Sequence, residues 1–275
     1  MKRIRSNLLK LQDDIGKSLE ELNNLLSKNT YYNPMIRRNI VRLNIQKYDN
    51  NINDIPENKI KTLIKYLESN LETPSIDDLN STDLLLWLKL IRHKNISVDL
   101  LKISEILSFV KTILDEEEVL NKVQKNIQII VLFYLQIIKF IQYDNGNNDL
   151  FTEFLQIKNE LKSKSMFMEG KSFDREWLSN SEVSLKRIIN RYDTRLEWIK
   201  EDKFFSKESE KYLFRCKGII KDVKNQKTGT ISYKNIDIHF IPRIDFTTSD
   251  INKPVTFYLS FSYDELNAWK VEIAN

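Results

Sequence analysis

Apolar residues recur at steps of three or four from the start of the chain to about residue 206. This is the spacing of one face of an α-helix, and proline, asparagine and aspartate interrupt it where helix ends and turns are expected. The pattern predicts helices over residues 2–29, 35–47, 56–70, 82–92, 97–114, 117–143 and 148–164. Because short polar turns join most of them, we expect paired antiparallel helices in a degenerate, tetratricopeptide-like array.

The pattern changes near Lys207, where apolar residues begin to alternate with polar ones. Alternation is typical of a strand with one buried face. It predicts four or five strands, near residues 212–224, 228–233, 236–241, 255–262 and 267–273. This number of short strands suits a small closed barrel. The sequence therefore predicts a mainly α fold with a C-terminal all-β domain: a helical array over residues 1–206 and a β-barrel over residues 207–275.

Bulk composition places few limits on the ligand. The formal net charge is +4 and the pI is near 8.8, which is too weak a bias to indicate nucleic acid by itself. Cys216 is the single cysteine, so no internal disulfide can form and a reducing, cytoplasmic location is expected. Residues 127–141 are the most apolar window but contain polar side chains, so we expect a buried helix and no membrane contact.

The residues that usually carry catalysis are scarce. The five glycines are too far apart for a phosphate-binding loop, and His93 and His239 are the only histidines. We therefore predict no catalytic site, no metal site and no cofactor, although distant residues could still converge in an enzyme. The acidic run at residues 115–118 could bind a hard cation, but we expect it to begin a helix, where carboxylates favour the positive dipole end.

Three of the four tryptophans, Trp87, Trp177 and Trp198, lie among aliphatic residues in the predicted helical part. Large aromatic side chains in such a setting usually pack in a core, so we expect these three to do so. We expect Trp269 to pack in or against the barrel.

Positive charge is concentrated between residues 211 and 234. This stretch holds seven basic residues and one acidic residue, Asp222. On the first two strands of the barrel, the basic side chains would form a face for a nucleic-acid strand, or an ordinary solvated surface. The predicted nucleic-acid-binding residues are Lys217, Lys221, Lys224, Lys227, Tyr233, Lys234 and His239.

Two sets of segments resemble known families. The first is Gly218-Ile219-Ile220-Lys221-Asp222-Val223, Gly229-Thr230-Ile231 and Ile236-Asp237-Ile238-His239-Phe240. It resembles a diverged cold-shock or oligonucleotide-binding (OB) barrel, which implies an OB-like fold. Where that family has stacking aromatics, this chain has Asp222, Thr228, Thr230 and Asp237. Of the expected platform, His239 and the inward-phased Phe240 remain, so any binding is expected to be mainly electrostatic.

The second set is Asn33-Pro34-Met35-Ile36-Arg37-Arg38-Asn39-Ile40, Thr82-Asp83-Leu84-Leu85-Leu86-Trp87, Trp177-Leu178 and the segment from Pro254 to Tyr263. These segments resemble the C-terminal helical-repeat and barrel region of prokaryotic conflict proteins and of interferon-induced sterile-alpha-motif antiviral proteins. The family's glycine-rich turn after Trp177-Leu178 is replaced here by Ser179-Asn180-Ser181. In those families upstream domains supply a nucleotide-driven switch and an effector, so we expect a stand-alone subunit or the tail of a split protein.

The resemblance implies a non-catalytic sensing module of an antiviral defence system. Its helices would dock a protein partner, an effector or an NTPase subunit, and its basic barrel face would contact nucleic acid, including RNA. The alternative is a pure protein-interaction scaffold whose lysines serve solubility. The sequence leaves the oligomeric state open.

Overall fold

A computed structural model provides the architecture. It describes residues 2–28, 32–73, 75–92, 96, 99–165, 176–181, 187–190, 193, 195–199, 204–225, 228–241 and 246–274. The chain divides into two compact units, Met1–Gln128 and Ile129–Asn275. The second unit contains the C-terminal part of one long helix, the helix that follows it, and the sheet.

The described residues form eight α-helices. They are α1 (Lys2–Leu26), α2 (Asn33–Lys47), α3 (Glu57–Leu71), α4 (Ser81–Ile91), α5 (Leu100–Asp115), α6 (Lys122–Asp144), α7 (Leu150–Ser165) and α8 (Lys207–Glu210). The first seven confirm the predicted helices, with ends shifted by a few residues. Side-chain caps set two of the starts: Asn80 accepts from the Thr82 amide before α4, and Asp99 accepts from the Leu101 amide before α5. The arrangement as repeats remains a prediction.

The acidic run does not begin a helix, which corrects the expectation above. Asp115 is the last residue of α5, and Glu116 to Glu118 lie in the connection that follows. α6 starts later because Asn121 and Gln124 form a reciprocal cap, in which each side chain accepts a hydrogen bond from the other residue's amide, at 3.0 and 2.8 Å.

The first unit has an apolar core with a polar network inside it. Trp87 is fully buried, as expected, among leucine and isoleucine side chains of α3 and α4. Asp83 is buried and accepts two hydrogen bonds of 2.7 Å from the Arg38 guanidinium and one of 3.1 Å from Asn70. This network joins α2, α3 and α4, and it compensates the cost of burying a charge.

α6 is the one helix among the described residues with the length and apolar composition to cross a membrane. However, 72% of its most apolar window is buried inside the fold. A mostly buried window of this kind fits the core helix that the sequence predicts.

Nine strands are described. They are β1 (Glu176–Leu178), β2 (Ile188–Asn190), β3 (Trp198–Ile199), β4 (Phe204–Phe205), β5 (Arg215–Asn225), β6 (Thr228–Tyr233), β7 (Ile236–Phe240), β8 (Pro254–Phe261) and β9 (Leu266–Ile273). The last five confirm the predicted strands. β5 pairs with β6 and β8, β6 with β7, and β8 with β9, all antiparallel, and a parallel pairing of β7 with β9 completes the ring. The result is a small five-stranded β-barrel, as predicted.

Two glycines let the strands approach closely inside the barrel. A Cβ on Gly218 would lie 2.6 Å from a methyl carbon of Ile231 and 2.8 Å from the backbone oxygen of Ser232. A Cβ on Gly229 would overlap the ring of Phe240. Glycine at these positions leaves room for the larger inward side chains of the neighbouring strands.

β structure begins before residue 207, which the helical interpretation of residues 1–206 missed. β1 pairs with β8 and β2, and it extends the barrel sheet, while β3 and β4 form a separate two-stranded pair. Trp177 and Trp198 therefore lie on strands, not helices. Trp177 is buried in an aromatic cluster with Phe204 and Phe205, and Trp198 and Trp269 pack against this cluster. These strands have two or three residues each, too few to show a period.

Candidate nucleic-acid interface

The outer face of β5 carries the predicted lysines. Cys216, Ile220 and Val223 are buried, whereas Lys217, Lys221 and Lys224 are exposed. The pairing of β5 with β6 shifts register between Ile220 and Asp222 and again between Val223 and Asn225. These irregularities interrupt strict alternation, so the outward side chains include both Lys221 and the half-buried Asp222.

The structure places carboxylates beside most of the basic residues in this stretch. The ion pairs are Lys211–Glu208 at 3.1 Å, Arg215–Glu272 at 2.5 Å, Lys221–Asp237 at 2.6 Å, Lys224–Asp222 at 3.6 Å and Lys234–Asp144 at 2.7 Å. Among the described residues, Lys217 has no ion-pair partner. The local positive charge is therefore largely balanced by acids, of which Glu272, Asp237 and Asp144 come from other elements of the fold.

These ion pairs differ in strength. The side chains of Lys221 and Asp237 are 57% and 53% exposed, and exposed pairs contribute about 0 to 1 kcal/mol to stability. Lys224 is more exposed still, and its distance to Asp222 is longer. A phosphate group could replace either carboxylate at little cost.

Tyr233 does not lie on this face. Along β6 it is two and four residues from Ile231 and Gly229, so it faces inward as they do. It is buried, with its ring packed edge-on against Phe257. Its hydroxyl donates a hydrogen bond of 2.7 Å to Asp144. In this structure Tyr233 is therefore not placed to stack on a ligand, contrary to its inclusion among the predicted binding residues; the inward parity was visible in the sequence.

Lys234 serves the hairpin between β6 and β7. Lys234 and Asn235 have φ angles of 46° and 64°, the left-handed values that a two-residue turn of this twist requires. The Lys234 ammonium donates to the backbone oxygen of Asp144 at 2.8 Å and pairs with its carboxylate at 2.7 Å. Lys234 thus contributes to the attachment of the hairpin to the end of α6.

The ionisable groups beside this hairpin have shifted pKa values. Burial by itself would raise the pKa of Asp144, but hydrogen bonds from Lys234 and Tyr233 and the charges of Lys234 and Arg187 outweigh it, so that pKa is lowered. Burial, together with the nearby Asp144, raises the pKa of the Cys216 thiol to about 12. Burial also raises the pKa of Tyr233. This cluster is a buried structural junction.

His239 lies on the outer face of β7. It is paired across the sheet with Thr230 and, on the other side, with Asn267. Its side chain is 53% exposed, and Nε2 lies 3.8 Å from a carboxylate oxygen of Glu265. Phe240 points inward, as its phase predicts, and is buried against Phe246.

The outward positions of β6 and β7 are otherwise small or acidic. They are Thr228, Thr230, Ser232 and Asp237. In the described parts of β5, β6 and β7, no Phe, Tyr or Trp faces outward. Stacking on a base is therefore left to the imidazole of His239 on this face.

Some predicted residues fall outside the described part of the chain. Lys227 lies in the β5–β6 connection, and His93 follows α4; neither is among the described residues. Within the described residues, no group of three or more His, Cys, Asp or Glu side chains could hold a metal ion.

Sequence reasoning missed two cationic residues of α7, Lys158 and Lys162. Lys158 lies within electrostatic reach of Asp237 and Glu265, which flank His239. Lys158 and Lys162 are four residues apart and therefore lie on one side of α7. Nothing in the sequence places that helix near Asp237 and Glu265.

Comparisons with protein-family models, with curated proteins and with solved structures find no match to this chain.

Proposed function

We propose that this chain is a non-catalytic binding module of an antiviral, anti-phage defence system. In this proposal its helices dock a protein partner, an effector or an NTPase subunit, in the cytoplasm. The outer face of β5 to β7 contacts nucleic acid, including RNA. The defence role and the protein partner rest on the resemblance of the segments around Pro34, Trp87 and Pro254 to antiviral proteins.

The nucleic-acid contact is supported by one observation in particular. Lys217, Lys221 and Lys224 project from one strand of a small barrel whose strand pairing fits the OB type in general outline. The carboxylate beside Lys221 is exposed and the one beside Lys224 is half-buried but 3.6 Å away, so phosphates can compete for these lysines. With little aromatic surface, binding is expected to be weak, salt-dependent and indifferent to sequence.

The experiment compares two variants of the outer face of β5 to β7, one without its lysine charges and one without its aspartate charges. In one variant Lys217, Lys221 and Lys224 are changed to Gln, and in the other Asp222 and Asp237 are changed to Asn. Fluorescence anisotropy with a labelled single-stranded oligouridylate measures affinity at several salt concentrations. The lysine variant should bind more weakly, and the aspartate variant more tightly, because the lysines lose their competing carboxylates.

A protein-interaction scaffold is the second candidate function. It is favoured by the acids that alternate with the lysines and by the lack of outward-facing Phe, Tyr and Trp on the described parts of β5 to β7. On this alternative the oligonucleotide does not bind, or binds equally to both variants. A specific partner then co-purifies after nuclease treatment, and the aspartate variant loses it.

A further inference from the structure

One side of α7 faces the barrel at the β8–β9 turn. Lys158, Lys162 and Ser165 are four and three residues apart, which places them on one side of the helix. The Ser165 hydroxyl lies 3.3 Å from the backbone oxygen of Tyr263 and 3.3 Å from the carboxylate of Asp264. These contacts fix the C-terminal end of α7 beside the turn.

The barrel side of this junction carries two carboxylates, and each has a neighbour on the barrel. Asp237 on β7 pairs with Lys221 at 2.6 Å, and Glu265 lies 3.8 Å from His239. Lys158 is within electrostatic reach of both acids. Asp237 and Glu265 therefore interact with Lys221 and His239 on the barrel and also with Lys158 of α7.

Two lysines of α7, Lys158 and Lys162, differ from Lys164, which pairs with Glu160 at 3.4 Å. Among the described residues, neither Lys158 nor Lys162 forms an ion pair. Like charges one helical turn apart repel, and Lys158 is half-buried. Burial and the charge of Lys162 lower the pKa of Lys158. Within the part of the face that the structure describes, the cations without an ion pair are thus Lys158, Lys162 and Lys217, of which Lys217 was predicted.

We propose that Lys158 and Lys162 form a second wall of the nucleic-acid interface, and that a single strand crosses from β5 over His239 to α7 with its phosphates bound at both sides. This inference rests on the proposed function. β5 and β7 are two strand spacings apart, about 10 Å, which is too far for one phosphate to bridge. A chain of phosphates spans this distance, whereas free phosphate does not.

The test changes Lys158 and Lys162 together to Gln and repeats the oligouridylate titration. Affinity should fall roughly tenfold, and the slope of log affinity against log salt should fall by about 1.4, since each single-strand phosphate contact contributes about 0.7. Lys164→Gln is the control, because Lys164 is on the same helix but pairs with Glu160 at 3.4 Å. It should bind like the unaltered chain. Changing Lys158 and Lys162 to Arg keeps the charge and should preserve the slope.

The outcomes separate the two proposals. If the β5 lysine variant loses binding while the Lys158 and Lys162 variant binds with unchanged affinity and slope, the second wall is wrong and the proposed function stands. If the unaltered chain shows no salt-dependent binding, the proposed function fails and this inference fails with it. Equal losses in the Gln and Arg variants would assign the effect to packing and overturn the inference.

Discussion

The hydroxyl of Tyr233 donates a hydrogen bond of 2.7 Å to the carboxylate of Asp144. Tyr233 ends β6 and Asp144 ends α6, so this bond joins barrel to helix within the second compact unit. Arg187 and Lys234 add ion pairs to the same carboxylate at 2.8 and 2.7 Å. A carboxylate at the C-terminal end of a helix opposes the helix dipole, and these donors compensate it.

Asp144→Asn should lower the free energy of unfolding by about 3 kcal/mol, because Arg187 and Lys234 lose their carboxylate and the Arg187 side chain is only 11% exposed. Urea denaturation at neutral pH measures the change. Asp222→Asn removes a half-buried acid of the same unit whose ion pair, with the exposed Lys224, is longer, and it should change stability by less than about 1 kcal/mol. Equal effects of the two substitutions would contradict this role for Asp144.

The contribution of Asp144 should depend on pH. Its pKa in the folded chain is lowered from the ordinary 3.8, since the hydrogen bonds and nearby cations outweigh the effect of burial. An acid with a lowered folded pKa contributes its full stabilisation above its unfolded pKa and loses it as pH falls through the folded pKa. The stability difference between the unaltered chain and Asp144→Asn should therefore be constant near neutral pH and shrink below pH 3.8. A difference that persists in strong acid would show that the carboxylate charge is not its cause.

The Cys216 thiol should be inert in the folded chain. It is fully buried, and burial raises its pKa to about 12, so almost no thiolate exists at neutral pH. Ellman's reagent should react at once in guanidinium chloride but only as fast as the chain unfolds in buffer. Rapid labelling of the native chain would refute the buried position of Cys216 on β5.

The two glycines inside the barrel should not tolerate a methyl group. Gly218→Ala and Gly229→Ala should each lower the free energy of unfolding by about 1 to 3 kcal/mol, since the added carbon meets backbone or a packed ring. Gly16→Ala provides the comparison, because nothing lies within 4 Å of its added Cβ in α1. It should stabilise the chain by up to about 1 kcal/mol. Thermal unfolding distinguishes the three variants, and a neutral Gly218→Ala would contradict the close pairing of β5 and β6.

The Arg38–Asp83 pair should be important in the first unit. Arg38→Gln leaves the buried Asp83 with one neutral donor, Asn70, and should cost about 3 kcal/mol. Lys61→Gln breaks an exposed pair with Glu57 and should cost less than about 0.5 kcal/mol. Urea denaturation followed by far-ultraviolet circular dichroism measures both. A similar loss of unfolding free energy in the two variants would contradict the importance of the Arg38–Asp83 pair.

Local patterns in the sequence determined the seven long helices and the five barrel strands. Side chains return to the same face about every 3.6 residues in an α-helix and every 2 residues in a β-strand. A buried face therefore shows in the sequence as apolar residues at that spacing, as at Ile236, Ile238 and Phe240. The same alternation along β6 indicates that Tyr233 faces inward. The strands that contain Trp177 and Trp198 have only two or three residues, which is too short to show an alternating pattern.

Tertiary structure alone decided the charge of the candidate interface. Lys221 meets Asp237 from another strand, and Lys234 meets Asp144 from a helix that lies ninety positions earlier. The same folding brings Lys158 within electrostatic reach of Asp237 on β7. Counting charges along the sequence does not predict these pairs. Coulomb energy depends on the distance between the charges and on their burial, and both are set only when separate elements pack together.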